Sequence, residues 1–232
     1  YKRQVSYHIV TNMTTFYPEG GGQIGDTGKL ISSADEIQVI DSYKDSGDII
    51  HLTKKLPSNL ESQVKLKVAT KRRSLIEANH TGTHLLHQAL RNILGDHVEQ
   101  RGSMISDEMF RFDFSHPSKL SSSDIHSINN FVNSKIKESI PLVENREEDY
   151  ERAINNGAIG LFTEKYEDKV RTVKFDESYE LCGGTHAKNT SKLKTFSIIS
   201  EVSQAFGIRR ITATCNEEII LKELEKKKAS KE

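Results

Sequence analysis

The chain has 232 residues, which is enough for one large domain or two small ones and for a substantial buried core. Its 33 basic and 33 acidic side chains give a formal net charge of zero, so overall charge does not indicate a nucleic-acid partner, and such a site would need a local patch. No apolar run approaches the roughly 20 residues that a membrane helix needs, so we expect no membrane partner. The chain begins without Met or an apolar signal sequence, and we expect a piece of a longer protein.

The two cysteines, Cys182 and Cys215, are too few for a disulfide framework. This usage favours a reducing, cytoplasmic compartment. In such a compartment a cysteine near histidines is more often a metal ligand or a nucleophile.

The first 70 residues have the pattern of a small β-rich subdomain. Gly, Asp, Ser and Pro clusters separate short apolar runs, as in hairpins of a barrel or a small sheet, and we expect a barrel-like form. The predicted strands cover residues 5–10, 37–43, 49–52 and 64–68. A glycine-rich stretch, residues 20–25, interrupts them.

From residue 71 the apolar residues recur near helical spacing, which predicts one long helix over 71–94 that Gly95 ends. Ser123 is the expected cap of a second helix. The other predicted elements are helices at 124–137, about 147–156 and 217–228, and strands at 170–175, 196–200 and 208–213. The predicted fold class is α+β, with a β-rich subdomain at 1–70, an α/β core at 71–215 and the start of a C-terminal helix at 216–232.

Two pairs of metal-binding residue types have the spacing of ligands. His80 and His84 lie one turn apart on one face of the predicted helix, while Cys182 and His186 flank a Gly-Gly-Thr loop that can fold tightly around an ion. A thiolate with imidazoles favours zinc over magnesium or calcium. Together they predict a tetrahedral zinc site with three nitrogens and one sulfur.

Other interpretations of the long helix are weaker. A metalloprotease would need a glutamate directly after the first histidine, where this chain has Thr81. His87 lies on the same helical face and could compete as a ligand, but we expect it to support the ligands or to belong to the core.

Five segments, in order and with matching spacing across residues 5–215, resemble the editing domain of the alanyl-tRNA synthetase family. Residues 79–87 (NHTGTHLLH) and 180–186 (ELCGGTH) are similar to its two zinc motifs. The further similar segments are 16–28 (FYPEGGGQIGDTG), 111–116 (RFDFSH) and 207–211 (GIRRI). The threonyl-tRNA synthetase editing domain shares the two zinc motifs, but we expect it to lack the glycine-rich stretch in this form.

The resemblance implies hydrolysis of mischarged Ser-tRNA(Ala) and Gly-tRNA(Ala), with the acceptor end of tRNA(Ala) and the rest of the synthetase chain as partners. Residues 157–166 are more similar to the full-length synthetase than to free-standing editing proteins, which favours an excised domain. A free-standing trans-editing deacylase and a tRNA-binding module with structural zinc are the alternatives.

The resemblance also implies roles for Thr83 and Gln100. Thr83 would recognise the serine hydroxyl, whereas a threonine in a helix commonly bonds its own backbone instead. Gln100 would donate to the ester carbonyl or hold the attacking water. Two basic clusters, 71–73 and 209–210, could meet tRNA phosphates or could simply be solvated.

Overall fold

The computed structural model describes residues 6–160 and 166–229, and it divides into two compact units, Tyr1–Ser74 and Leu75–Glu232. Parts of three sequence predictions lie outside the described residues. They are residue 5 of the first predicted strand, residues 161–165 of the segment 157–166, and residues 230–232 of the predicted C-terminal segment 216–232. The three-part division at residues 70 and 215 stays a prediction. Among the described residues, no helix is both long enough and apolar enough to cross a membrane.

The first unit contains one antiparallel sheet of five strands, in the order β1-β4-β3-β2-β5. The edge strands β1 and β5 do not pair with each other among the described residues, so the hydrogen bonding does not confirm the barrel-like form. The strands are β1 (Tyr7–Ile9), β2 (Gly28–Ile31), β3 (Glu36–Asp45), β4 (Asp48–Thr53) and β5 (Lys65–Val68).

Alternating side chains of this sheet build a small core. Leu30, Ile37 and Val39 are buried together with Phe16. The β3–β4 hairpin closes through Ser46 and Gly47, both with positive φ, as two-residue hairpin turns require.

The glycine-rich stretch is used inside the first unit. The Asp26 carboxylate is buried, accepts from the Tyr17 backbone N–H at 2.6 Å and pairs with the Arg73 guanidinium. Arg72 donates to the Gly25 carbonyl at 2.8 Å. Both arginines therefore bind the glycine-rich segment. For residues 71–73 the sequence alone indicates only phosphate contact or solvation.

The second unit combines helices with two antiparallel sheets, in the orders β11-β12-β7-β6 and β10-β9-β8. Its helices are α1 (Thr70–Leu94, which begins in the first unit), α2 (Ser122–Lys137), α3 (Tyr150–Asn155) and α4 (Glu217–Ala229), with a short 3₁₀ turn at Thr190–Leu193. Its strands are β6 (Gln100–Ile105), β7 (Phe110–Ser115), β8 (Val143–Asp149), β9 (Lys169–Phe175), β10 (Ser178–Leu181), β11 (Ser197–Ala205) and β12 (Ile208–Thr214). The mixture of helices and antiparallel sheets confirms the α+β class.

Helix α1 is the centre of the second unit, and its residues 78–90 are all buried. Gly82 lets α1 approach its neighbours closely, because a Cβ there would lie 2.8 Å from Cys215 Sγ and 3.3 Å from the Phe110 ring. His80 and His84 lie on the opposite side of the helix from Gly82, because two residues along a helix correspond to a rotation of about 200°.

Two predicted helix starts were wrong. Ser121, not Ser123, caps α2, because Asp124 three residues later completes a reciprocal capping box with it. Residues 147–149 belong to β8, where Glu148 pairs with Val170 across the sheet, and α3 begins only after Asp149 caps it.

Gly25 supplies a test of the close packing in the first unit. A Cβ at Gly25 would lie 1.9 Å from the Ser42 backbone oxygen, so we expect Gly25→Ala to lower the free energy of unfolding by about 3 kcal/mol through overpacking. A Cβ at Gly20 meets nothing closer than 3.8 Å, so Gly20→Ala is the matched control, with an expected change within about 0.5 kcal/mol. Urea unfolding of both variants measures the difference, and equal stabilities would contradict this packing.

Candidate metal centre

The four residues expected to bind a metal come together in one buried cluster. Donor atoms of His80, His84, Cys182 and His186 all lie within 4.8 Å of one another. Cys182 Sγ is 3.4 Å from His80 Nε2 and 3.3 Å from His186 Nε2. The cluster therefore joins helix α1 to a loop about a hundred residues later in the chain.

Helix α1 and the loop after β10 each contribute two donors. On α1 the ring centres of His80 and His84 are 5.4 Å apart, as expected for neighbours one turn apart. The His186 ring centre lies 4.3 Å from that of His80 and 4.5 Å from that of His84. The loop thus places its imidazole against both helix histidines.

Arg171 on β9 holds the loop that carries Cys182. Its Nη1 donates to the backbone oxygens of Cys182 and Gly184, each at 2.7 Å, and its Nε and Nη2 donate to Glu144 on β8. A planar guanidinium with several donors suits this task. Sequence reasoning missed Arg171, because a basic residue in a strand carries no signal of a partner 11 residues away.

Thr81 orients the imidazole of His186. Its Oγ1 lies 3.2 Å from His186 Nδ1 and accepts from the Ala187 backbone N–H at 3.1 Å. With Nδ1 engaged in this way, the Nε2 of His186 faces Cys182. Thr81, which replaces the glutamate of a metalloprotease, therefore supports the His186 ring.

Glu180 is a buried carboxylate beside the cluster. Its Oε2 lies 3.5 Å from His84 Nε2, and its Oε1 accepts from His87 Nδ1 at 3.0 Å. Burial by itself would raise the pKa of Glu180, but His84 and His87 bring that pKa below its ordinary value. His87 contacts this carboxylate and is not among the four clustered donors of the described chain, as expected for a supporting histidine.

Burial decides the protonation of the cluster. It lowers the pKa of His80 and His186 well below the usual imidazole range, and neighbouring imidazoles and Arg171 lower it further. Burial also lowers the pKa of His84, against the attraction of Glu180. The same desolvation raises the pKa of the Cys182 thiol to about 12. These shifts favour neutral imidazoles and a protonated thiol at neutral pH.

The donor set fits a metal ion. Neutral imidazoles are the form that binds metals, and His84 Nδ1 is a buried nitrogen with no hydrogen-bond partner in the described residues. Three nitrogens and one sulfur form a set that soft to borderline cations prefer over magnesium or calcium. The group can therefore hold a metal ion, while the assignment of each ligand stays a prediction.

Thr83 and Gln100 lie on different elements. Thr83 is buried on α1 and donates its hydroxyl hydrogen to the Asn79 carbonyl at 2.9 Å, which is the backbone bond that sequence reasoning gave as the alternative. Gln100 begins β6, is half-buried and donates to Ser103 Oγ at 3.3 Å. In the part of the chain that the structure describes, neither residue is hydrogen-bonded to the four donors. Their roles stay predictions.

The second basic cluster is ion-paired. Arg209 pairs with Glu201 on β11, and Arg210 makes a two-pronged pair with Asp113 on β7 at 2.6 and 2.7 Å. These pairs join β12 to its two neighbouring strands, β11 and β7. Contact with tRNA phosphates would have to compete with them.

Two family models of tRNA synthetases match different parts of the chain. The family model described as the threonyl and alanyl tRNA synthetase second additional domain matches residues 170–212, which include Arg171, Glu180, Cys182 and His186. The model of class II (A) tRNA synthetases matches residues 1–73.

Curated relatives extend the similarity over nearly the whole chain. An alanine–tRNA ligase of Christiangramia forsetii is 51% identical over 217 residues, which cover 93% of this chain and 25% of the relative. Alanine–tRNA ligases of Bacteroides fragilis and Leptospira borgpetersenii are 47% and 44% identical, over 91% of this chain in each case and 24% and 23% of their own length.

The first residues of the chain are therefore similar to class II aminoacyl-tRNA synthetases. Over nearly its whole length the chain is similar to a segment of the alanine–tRNA ligases, and it spans about a quarter of the length of the curated relatives it matches.

The protonation of the cluster predicts how metal binding depends on pH. A metal must displace the proton of the Cys182 thiol, whose pKa is about 12, whereas the imidazoles are already neutral. Metal affinity should therefore rise about tenfold for each unit of pH between pH 7 and 9, with one proton released per ion. Competition with a chelator across this range measures the affinity, and calorimetry in two buffers counts the protons.

Cys215 provides the matched control. It is buried, burial raises the pKa of its thiol, and it lies outside the donor group. Cys215→Ala should keep the pH dependence, and Cys182→Ala should abolish the proton release. An affinity that does not change with pH in the unmodified chain would contradict the predicted protonation.

Proposed function

We propose that this chain is the editing region of an alanine–tRNA ligase, and that it hydrolyses the ester bond of mischarged Ser-tRNA(Ala) and Gly-tRNA(Ala). The observation that carries the proposal is the buried cluster of His80, His84, Cys182 and His186 in a chain similar to the alanine–tRNA ligases. The partners of the proposed site are the acceptor end of tRNA(Ala) and the rest of the synthetase chain.

Zinc is the proposed ion of the cluster. A complete set of four protein donors is typical of structural zinc, whereas catalytic zinc sites keep one position open. The zinc would tie helix α1 to the loop after β10 and so fix the walls of an amino-acid pocket. If one donor moved away, the ion would also offer a positive charge to the ester oxygen.

Thr83 is proposed to distinguish serine from alanine. Its hydroxyl hydrogen is donated to Asn79, so the oxygen keeps a lone pair that can accept from the serine hydroxyl. Alanine would leave that lone pair of the buried oxygen without a donor. Discrimination by a buried polar group is strong, whereas an apolar synthetic site rejects an added hydroxyl poorly.

Gln100 is proposed to act on the part common to both substrates. Among the described residues its amide nitrogen makes one long bond of 3.3 Å, to Ser103, so the amide could turn to donate to the ester carbonyl or to hold a water. Donors aimed at a developing oxyanion are among the largest contributions to ester hydrolysis.

Deacylation by the purified chain tests the proposal. We expect release of serine and glycine from mischarged tRNA(Ala), with Ala-tRNA(Ala) spared. A chain that binds tRNA(Ala) and one zinc but leaves both mischarged substrates intact would instead be a tRNA-binding module with structural zinc, and the proposal would fail.

Replacement of Thr83 tests the specificity. Thr83→Val keeps the shape and removes the hydrogen-bonding group, so Ser-tRNA(Ala) deacylation should lose about 1–3 kcal/mol of transition-state stabilisation, whereas Gly-tRNA(Ala) should lose less. Gln100→Ala should slow both substrates equally. Single-turnover rates at saturating enzyme measure both effects.

Ser74 supplies the control for loss of a hydroxyl on the same helix. It is exposed on α1, and Ser74→Ala should leave both rates unchanged. Equal losses on the serine and glycine substrates in Thr83→Val would show that Thr83 does not recognise the serine side chain.

A further inference from the structure

Glu180 and His87 form a second group of polar side chains beside His84. Glu180 is 2% exposed and lies between two imidazoles, with one carboxylate oxygen toward His84 and the other toward His87. Nothing in the editing chemistry proposed above uses Glu180 or His87. Their arrangement therefore needs an explanation of its own.

The hydrogen bond to Glu180 fixes the hydrogen positions on His87. A carboxylate only accepts, so Nδ1 of His87 carries the hydrogen, and in the neutral ring Nε2 is then an acceptor. His87 Nε2 is buried and has no hydrogen-bond partner among the described residues. Buried acceptors of this kind are normally satisfied by protein or by ordered water.

The side-chain oxygen of Gln88 is a second buried acceptor, and it belongs to the same cavity as His87. Gln88 Nε2 donates to Glu177 at 2.9 Å, and the buried Oε1 has no partner within the described chain. Both residues line one cavity of about 100 Å³, which Arg91, Ser178 and Tyr179 also line. Since one water needs roughly 10–15 Å³ of such volume, the cavity has room for several donors of hydrogen bonds.

We propose that Glu180 and His87 are positioning residues for His84. The Glu180 carboxylate bridges the two imidazoles, and water in the cavity donates to His87 from the other side. Carboxylates that contact a metal-binding histidine set its tautomer and orientation, and losing one commonly lowers metal affinity 10–100-fold. The inference rests on the proposed function only in taking His84 as a metal ligand, and it concerns binding of the ion rather than deacylation.

Metal affinity of the full 232-residue chain tests this proposal. Zinc affinity is measured by competition with a chelator, and Co²⁺ is then bound in place of zinc so that its visible absorption reports the ligand geometry. In Glu180→Gln we expect a 10–100-fold weaker zinc affinity and a changed Co²⁺ spectrum. The amide loses the negative charge that lies between the two imidazoles, and its nitrogen cannot accept a hydrogen bond.

Glu177→Gln is the matched control. It makes the same change of charge in a residue that lines the same cavity, but Glu177 bonds to Gln88 instead of to a histidine. Its zinc affinity and Co²⁺ spectrum should equal those of the unmodified chain. If Glu180→Gln matches this control within twofold and has the same spectrum, the proposal is overturned.

Two variants of His87 keep the test decisive even if Glu180→Gln fails to fold. Asn can present an amide N–H near the position of the imidazole Nδ1–H, so His87→Asn should retain most of the zinc affinity, whereas His87→Leu should lose several-fold. Equal affinities and spectra in these two variants would mean that the contact with Glu180 does not position His84. Absence of deacylation in the unmodified chain would contradict the proposed function, but it would leave these affinities meaningful.

Discussion

Burying three imidazoles and a thiol side by side costs free energy, because each loses its hydrogen bonds to water. Within the cluster of His80, His84, Cys182 and His186, the Cys182 sulfur lies 3.4 Å from His80 Nε2 and 3.3 Å from His186 Nε2. A bound cation would replace the lost water for all four donors together. The arrangement of the second unit follows from this requirement.

Three of the four clustered residues are held by a neighbour outside the cluster. Arg171 fixes the backbone around Cys182, Thr81 fixes the His186 ring and Glu180 lies against His84. Helix α1 brings two donors into the interior because Gly82, on its opposite side, allows close packing. A site built in this way has little freedom to change its geometry, which suits an ion that organises a pocket.

The four residues that could hold a metal ion could be predicted from the sequence because both pairs are local patterns. His80 and His84 need only the geometry of one helix, and the Cys-Gly-Gly-Thr-His segment is a single tight loop. The supports could not be predicted in this way. Arg171 and Glu180 act through contacts with residues 27 and 93 positions away, and such pairs are defined only by the folded sheets.

Errors in the element boundaries have the same origin. The sequence predicts a helix start at residues 147–149, but pairing with β9 keeps these residues in a strand. The contacts of the folded sheet outweigh a weak local preference for helix. The alternating Phe110, Phe112 and Phe114 did carry a strand signal, since all three face the core of β7. Phe112 and Phe114 lie in the family segment 111–116, and no strand is predicted there from the sequence.

X-ray absorption at the zinc edge of the purified chain tests the central claim most directly. We expect about one zinc per chain, with three nitrogen neighbours at about 2.0–2.1 Å and one sulfur at about 2.3 Å. The sulfur contribution should disappear in Cys182→Ala and persist in Cys215→Ala. A zinc shell without sulfur, or one that is unchanged when both Cys182 and His186 are replaced by Ala, would contradict the account.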